Sequence, residues 1–407
     1  MGKIVVVKFG GSVLSDERSI ERAARWLKGL RDKGLSPVVV VSALRGVTDE
    51  LLKTAQRLNP EAPPELMDEV LAMGERTSAR LFALALTREG VDALVVDPDS
   101  TLWPVITDEK HLDATPILDE CRRKASEGLL PEIAAGRVPV VCGYIGVSKT
   151  GRITTLGRGG SDTTAVLLAN CLDAEEVVLV KDVGGIHSAD PRKTREAEVI
   201  ETMSASEVLQ LTTGGAKVLH AKALRYMNDS MRIRVGTLES LEEGGTLITA
   251  SGMPKLEVVA THDNVTMVTI IGKDMGEPSK LAKMVEALVE ADANLLAASI
   301  EENSLIIYLD GDGDVVEKLH DLLVSSRLGK AISHFPNLSM IKVSGTMLET
   351  SPGVIHKITQ PLAAQAINVY GLVTISSSVR LFVSSKEASK AINLIRDGLR
   401  EVVDEAA

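Results

Sequence analysis

Across residues 1–250, short unbroken apolar runs alternate with apolar positions at helical spacing. Ile4-Val5-Val6-Val7 has the length and branching of a strand buried on both faces of a parallel sheet. After it, Ile20, Ala23, Ala24, Leu27 and Leu30 keep helical spacing, and Gly34 supplies a stop. Val38–Val41, Ala93–Val96, Val138–Cys142, Val177–Val180 and Arg232–Val235 predict further strands. Helical stretches around 65–89, 115–135, 161–172 and 204–229 separate them. Lys149-Thr150-Gly151 predicts a hairpin turn between Tyr144–Ser148 and Arg152–Leu156. Such alternation implies an α/β three-layer sandwich built on a mostly parallel sheet.

The pattern changes near residue 250, where Ala250-Ser251-Gly252-Met253-Pro254 reads as a linker. Beyond it lies an internal repeat. Met267-Val268-Thr269-Ile270-Ile271-Gly272 corresponds to Met340-Ile341-Lys342-Val343-Ser344-Gly345, and Ala293-Asn294-Leu295 to Ile367-Asn368-Val369. Asn303–Ile307 corresponds in the same way to Ser377–Leu381. Each copy predicts strand, helix, strand, strand, helix, with Ala388, Ala391, Ile392, Ile395 and Leu399 forming one apolar helical stripe. The expected organisation is therefore a first domain over 1–250, a linker over 251–263, and two small α+β modules over 264–335 and 336–407 that share C-terminal strands. A small sheet with helices on one face leaves a face and edges to cover, so the two copies, or two chains, are expected to pair.

Composition narrows the function. At 407 residues, 44% apolar and 25% charged, the chain is globular and long enough for two or three cores. Only 2% of residues are aromatic and the formal net charge is −11, which argues against nucleic acid and against an anionic membrane surface. No apolar stretch approaches the roughly 18 residues of a membrane span, and Lys3 and Lys8 bound an N-terminal apolar run too short for a secretory leader. Cys121, Cys142 and Cys171 lack metal or CxxC spacing, so buried thiols in a reducing, cytoplasmic setting are expected.

Four glycine-rich segments carry candidate chemistry. Lys8-Phe9-Gly10-Gly11-Ser12 follows the first strand; adjacent glycines let backbone amides approach a polyphosphate, and Lys8 can neutralise a transferring phosphoryl group. By itself this motif fits a plain strand-to-helix turn equally well, and the chain contains neither the Walker A nor the dinucleotide glycine pattern. Thr154–Thr164 is more specific. Gly157-Arg158-Gly159-Gly160-Ser161-Asp162 leads straight into an apolar helix, offering an anion-ready N-terminus and a planar guanidinium suited to a carboxylate or phosphate. Lys181-Asp182-Val183-Gly184-Gly185-Ile186-His187-Ser188-Ala189-Asp190-Pro191-Arg192 follows a strand, at the carboxyl ends where open α/β sheets bind ligands. Gly214-Gly215-Ala216-Lys217-Val218-Leu219-His220 is expected to set Lys217 at a helix start, where a cation is disfavoured unless an anion is near. His220 is given no role. Two weaker segments are Ser42–Asp49 and Met73-Gly74-Glu75-Arg76, the latter interrupting a helical stretch with a glycine and, read alone, a solvated charge pair.

Taken in order, these motifs resemble those of the aspartate kinases, in the amino-acid kinase superfamily, over essentially the whole chain; Thr154–Asp162 and Gly215–His220 are the specific signatures. The resemblance implies the amino-acid kinase fold followed by paired ferredoxin-like ACT domains. It implies ATP-dependent phosphorylation of the β-carboxylate of L-aspartate to 4-phospho-L-aspartate, the start of the route to lysine, threonine, methionine and isoleucine. Carried over position by position, Lys8 and Asp162 are the catalytic residues. Phe9, Gly10, Gly11, Ser12, Lys181, Asp182, the segment His187-Ser188-Ala189-Asp190-Pro191-Arg192 and Lys217 join Lys8 in the ATP site. Thr48, Glu75, Arg158, Gly159 and Ser161 hold aspartate, with Arg158 on a carboxylate and Glu75 on the amino group. Mg²⁺ with ATP, an amino-acid effector such as lysine or threonine, and a homodimer formed through the ACT sheets are implied too; protein ligands to the metal are not.

The chain departs from the family pattern at three places. The first glycine motif is one residue shorter, as in sister kinases; Lys181 and His187-Ser188 stand where Thr and Tyr-Thr are common; and Gly276-Glu277-Pro278-Ser279 opens the first repeat where the second keeps Ser351-Pro352-Gly353-Val354. A sister kinase acting on another carboxylate and a non-catalytic amino-acid sensor are the alternatives. The Glu75 and Arg158 pair favours an amino-acid substrate over the first, and retention of Lys8 and Asp162 disfavours the second.

Overall fold

A computed structural model describes residues 2–213, 219–251, 257–311, 314–326, 329–345, 348, 353–375 and 378–404. The chain divides into two compact units, Met1–Met253 and Pro254–Ala407.

The first unit runs β1 (Ile4–Phe9), α1 (Glu17–Asp32), β2 (Ser36–Val41), α2 (Val47–Leu58), α3 (Pro64–Arg88), β3 (Ala93–Val96), β4 (Ile106–Thr107), α4 (Leu118–Ala134), β5 (Val138–Cys142), β6 (Ile145–Ser148), β7 (Ile153–Thr155), α5 (Gly160–Cys171), β8 (Glu176–Val180), β9 (Thr202–Ser204), α6 (Ala205–Thr213), α7 (Ala221–Leu224), β10 (Arg232–Gly236), α8 (Leu238–Glu243) and β11 (Thr246–Thr249). Eight strands form one sheet in the order β3-β5-β2-β1-β8-β10-β11-β9, parallel at every pairing except β10 with β11. Helices α1 and α3 pack together over one face; α4, α5 and α7 pack together over the other. With both faces covered, β1, β2, β5 and β8 are continuous valine-rich runs rather than alternating ones. All six predicted strands are present. The predicted hairpin is present as β6 and β7, which form a separate small sheet with β4.

Three local expectations change. The helical stretch around 204–229 is two helices, α6 and α7, with residues 214–218 outside the described residues. Gly74 does not interrupt α3, which runs unbroken; a Cβ there would lie 2.7 Å from the Ala43 Cβ, so glycine allows the helix to press against the segment after β2. The glycine turn after β1 does not open directly into a helix, because α1 starts only at Glu17 and Asp16 caps it by accepting from the Ser19 amide.

Topology places the site. From β1 the chain continues outward to β2 on one side, and β8 flanks β1 on the other. The carboxyl ends of these strands bound a crevice of the kind where parallel sheets bind ligands. All three cysteines are unpaired and buried, and among the described residues no helix is long and apolar enough to cross a membrane.

The second unit contains β12 (Glu257–Ile271), α9 (Pro278–Glu290), β13 (Asn294–Ile300), β14 (Ser304–Asp310), α10 (Asp314–Ser326), β15 (Ala331–Ser344), α11 (Val354–Ala364), β16 (Gly371–Ile375), β17 (Ser378–Ser384) and α12 (Ala388–Asp404). Each repeat copy has the predicted element order. The copies join through their long first strands, β12 and β15, into one antiparallel sheet ordered β13-β14-β12-β15-β17-β16. Residues 257–263, expected as linker, belong to β12, and the expected module boundary at 335/336 falls inside β15. Alternation divides the side chains: Ile341, Val343, Leu381 and Val383 pack with α11 and α12, while Leu338, Met340 and Phe382 turn to the opposite face. There Tyr308 of β14 stacks on Phe382 of β17 with ring centroids 3.8 Å apart. Two strands lie between them, a spacing of about 14 Å in a flat sheet, so the sheet must curl. Its flanks are tied together: the Tyr308 hydroxyl donates to the Tyr370 carbonyl and Arg380 Nη1 to the Leu296 carbonyl.

Candidate active site

The crevice is a cleft of about 630 Å³. Its walls are Lys8 near the end of β1, Gly11 and Ser12 after it, Ser42–Gly46 after β2, Thr48, Asp49 and Leu52 of α2, Leu71 and Glu75 of α3, Leu112, Tyr144 after β5, and Gly157–Asp162 entering α5. Helix α5 is buried along its whole length. Gly159 caps it in a left-handed conformation (φ 75°), and its first turn, with Ser161 and Asp162, faces the cleft. That helix end supplies the partial positive charge expected of the first glycine turn.

Asp162 is the hub. Lys8 Nζ lies 2.6 Å from its Oδ1, and Lys181 Nζ donates to its Oδ2 at 2.9 Å. Both Lys8 and Asp162 are buried. Burial penalises the Asp162 charge, but Lys181 and Lys8 outweigh it and hold the carboxyl well below its usual range. Burial also pulls the Lys8 ammonium below its ordinary range, helped by Lys181 and opposed by Asp162. Two lysines around one carboxylate leave this corner of the cleft with an excess positive charge.

Glu75 sits in a contrasting environment. It is 3% exposed, and Arg76 turns away from it to pair with Asp97 at 3.3 Å and with Asp99. The solvated charge pair is therefore not formed. Burial pushes Glu75 up to about 8, against opposing pulls from the Ala43 amide and the Lys8 charge, and its Oε2 has no hydrogen-bond partner among the described residues. Ala43 is a meeting point: a Cβ on Gly11 would stand 2.6 Å from its carbonyl oxygen. The second glycine of the first motif thus lets the turn after β1 lie against the segment after β2.

The remaining site residues separate. Thr48 in the first turn of α2, Arg158, Gly159 and Ser161 all line the cleft, and Arg158 is solvent-exposed. Phe9 does not; its ring is fully buried against Phe82 at 4.8 Å and Trp26 at 6.4 Å, so it anchors β1 rather than touching a ligand. The Gly10 amide donates to the Val180 carbonyl and so is engaged, which leaves the Gly11 and Ser12 amides as those without a protein acceptor among the described residues of this turn. Lys181 reaches Asp162, while Asp182, His187, Ser188, Ala189, Asp190, Pro191 and Arg192 lie outside the cleft lining. In that segment the Ser188 amide donates to the Glu198 carbonyl, and Asp190 pairs with the exposed Arg192. Lys217 lies outside the described residues. His220 caps α7 by accepting from the Lys222 amide and packs where a Gly159 Cβ would stand. Sequence reasoning missed Leu112 and Tyr144 as parts of the cleft wall, and Asp68, whose buried carboxylate accepts from the Leu112 amide. The only sequence hint was Tyr144 itself, one of four tyrosines, immediately after a strand end and a glycine.

Residues 3–237 match the amino acid kinase family. An aspartokinase of Mycolicibacterium smegmatis is 32% identical, with 97% of this chain and 95% of that protein covered. Among solved structures, the aspartate kinase of Synechocystis superimposes with a TM-score of 0.77 at 27% identity, covering 97% of this chain and 69% of that one. The E. coli aspartokinase III in complex with aspartate and ADP gives 0.55 at 25% identity over 98% and 100%. The same E. coli protein in complex with lysine and aspartate gives 0.54 at 25% over 98% and 99%.

Proposed function

We propose a mechanism for this chain, which belongs to the amino acid kinase family and, within it, to the aspartokinases. It phosphorylates the β-carboxylate of L-aspartate from ATP, giving 4-phospho-L-aspartate. The observation that carries the mechanism is the buried Lys8–Asp162–Lys181 group beside the N-terminus of α5. A carboxylate acceptor is already a nucleophile, so the site needs no general base. Its work is to hold two anions together and to neutralise the charge on the phosphoryl group in flight.

Lys8 carries that neutralisation. Burial lowers the pKa of its ammonium, and an anionic phosphate beside it acts in the opposite direction and favours the charged form. Asp162 holds Lys8 and Lys181 apart and aligned, so neither reorganises during transfer. The Gly11 and Ser12 amides face the phosphates, and Lys181, Asp182, the segment His187–Arg192 and Lys217 complete the nucleotide side. On the acceptor side Arg158 holds a substrate carboxylate, with Thr48, Gly159 and Ser161 around it. Glu75, whose carboxyl burial raises to about 8, ionises against the substrate ammonium. Mg²⁺ would accompany ATP and add charge neutralisation at the phosphates; among the described residues no group of three or more acidic, His or Cys side chains is placed to hold a metal ion.

The second unit is read as the ACT pair, supported by its twofold strand–helix–strand–strand–helix repeat. An amino-acid effector acts there, a reading supported by the lysine-bound E. coli relative. Self-association into a homodimer through this unit, in the cytoplasm, completes the proposal. The decisive experiment is ADP release with L-aspartate, with the acyl phosphate trapped by hydroxylamine as the hydroxamate. Aspartate-dependent hydroxamate is expected; turnover only with a different acid would overturn the substrate assignment.

A further inference from the structure

Arg158 is the least anchored of the residues that line the acceptor side. It is exposed, engages no acceptor among the described residues, and stands between two left-handed glycines, Gly157 (φ 70°) and Gly159 (φ 75°). Glycine has the softest backbone of any residue, so a side chain carried between two of them gains no fixed direction from its own segment. A guanidinium that has to be ordered at the moment of binding loses affinity to that ordering. Its direction must therefore come from what packs on the loop.

One lysine outside the cleft supplies that packing. Lys222 lies on the short helix α7, and its side chain is 15% exposed. Its Nζ donates to the Leu156 carbonyl at 2.8 Å, to the Ala114 carbonyl at 2.8 Å and to Asp113 Oδ1 at 2.9 Å. An ammonium has three protons, and three acceptors fix it in rotation as well as in place. The ion pair with Asp113, itself exposed and shared with Lys110, would be worth little alone. The two carbonyls make the contact a tie between segments. Leu156 is the fully buried residue directly before Gly157. Asp113 and Ala114 follow Leu112, which lines the cleft, and this loop lies against the glycine: a Cβ on Gly157 would stand 2.7 Å from Asp113 Oδ1 and 3.2 Å from the Leu112 carbonyl oxygen. The loop is itself held firmly. Leu112 has φ 65°, which a leucine keeps only where its surroundings over-determine it, and its amide donates to the buried Asp68 at 3.2 Å. Two residues before Lys222, His220 bounds the other glycine, because a Cβ on Gly159 would collide with the His220 Cβ.

We propose that Lys222 is a positioning residue for the acceptor: by tying Leu156 to the Asp113–Ala114 loop it pre-sets the Gly157–Gly159 backbone, and with it the Arg158 guanidinium, before L-aspartate binds. The inference rests on the role given to Arg158 above. Steady-state kinetics on the full chain test it, with Lys222→Met, Arg158→Ala and the double variant. Lys222→Met keeps the stem and removes the three donors. It is expected to raise the KM for L-aspartate about tenfold while leaving kcat and the KM for ATP near wild type. In the Arg158→Ala background the same change should add little, because residues that act through one another are not additive. Lys222→Arg keeps the charge, but its planar fork cannot serve three acceptors gathered round one nitrogen. A smaller rise in the same KM is expected, and this variant carries the test if Lys222→Met does not fold. An unchanged aspartate KM in the folded Lys222 variants, an equal rise in the KM for ATP, or a fully additive loss on top of Arg158→Ala would each overturn the proposal. An unchanged aspartate KM in Arg158→Ala would instead remove the role of Arg158, and the proposal with it. A folded wild-type chain with no aspartate turnover would overturn the substrate assignment as well.

Discussion

The two units solve the problem of a polar group inside a protein in opposite ways. In the first, Lys8, Asp68, Glu75, Asp97 and Asp162 are all buried, and three of them, Lys8, Glu75 and Asp162, line one cleft. In the second, the buried polar side chains among the described residues are the neutral Thr266, Ser339, Ser344 and Ser378. Its sheet carries Tyr308, Phe335 and Phe382, and Tyr370 stands immediately before β16, together four of the ten aromatic residues in the chain. Buried charge costs stability unless paired, so its concentration in one unit marks where binding energy is needed. The other unit uses large rings to bend a sheet over its own face and draw its flanks together, which limits the exposed edge that the sequence left to be covered.

Three experiments would break or sharpen this contrast. The largest expected effect is on catalysis: Lys8→Ala should lower kcat about 10³-fold with the far-ultraviolet circular dichroism spectrum retained. Turnover near the wild-type rate would mean that the buried charges serve packing alone. Next, Phe382→Ala should remove about 3–5 kcal/mol of stability from the second unit, read by denaturant unfolding. A loss below about 1 kcal/mol would show that the curled face is not a true core. The smallest effect is a pH dependence at Glu75, whose folded carboxyl titrates at about 8 against an ordinary value of 4.5. Between those values the folded chain keeps a proton that the unfolded chain has released, so stability falls as pH rises through the window. Glu75→Gln should therefore melt higher than wild type by a few °C at pH 8, with the gain vanishing as pH falls toward 4.5. An equal gain at both ends of the window would assign the effect to packing.

Much of the architecture was legible because it rests on local pattern. The valine runs of β1, β2, β5 and β8 could only be strands covered on both faces, and the element order of the C-terminal repeat is written twice. The helix around Gly74 was less legible, because glycine lowers helix propensity and the reason for it, contact with Ala43, is tertiary. In the site, Lys8, Asp162 and the Gly157–Gly160 loop stood out because glycine and charge cluster there beyond what a turn requires. Phe9 and Gly10 were drawn in by adjacency, yet one serves the core and the other gives its amide to Val180.

By itself, the order of residues determined the parallel sheet, the two-unit division, the duplicated C-terminal topology and the residue types of a phosphoryl-transfer site. These follow from hydrophobic period, turn chemistry and local charge, which neighbours in sequence impose on one another. Only the tertiary structure decided which of those residues meet. It set Asp162 between Lys8 of β1 and Lys181 just past the end of β8, left Glu75 buried while its neighbour Arg76 turned elsewhere, and bent the second sheet until Tyr308 reached Phe382. It also set Asp68 of α3 against the Thr155 hydroxyl of β7, 87 residues further along the chain. Protonation and hydrogen-bond direction depend on distance and burial, and neither exists until the chain has folded.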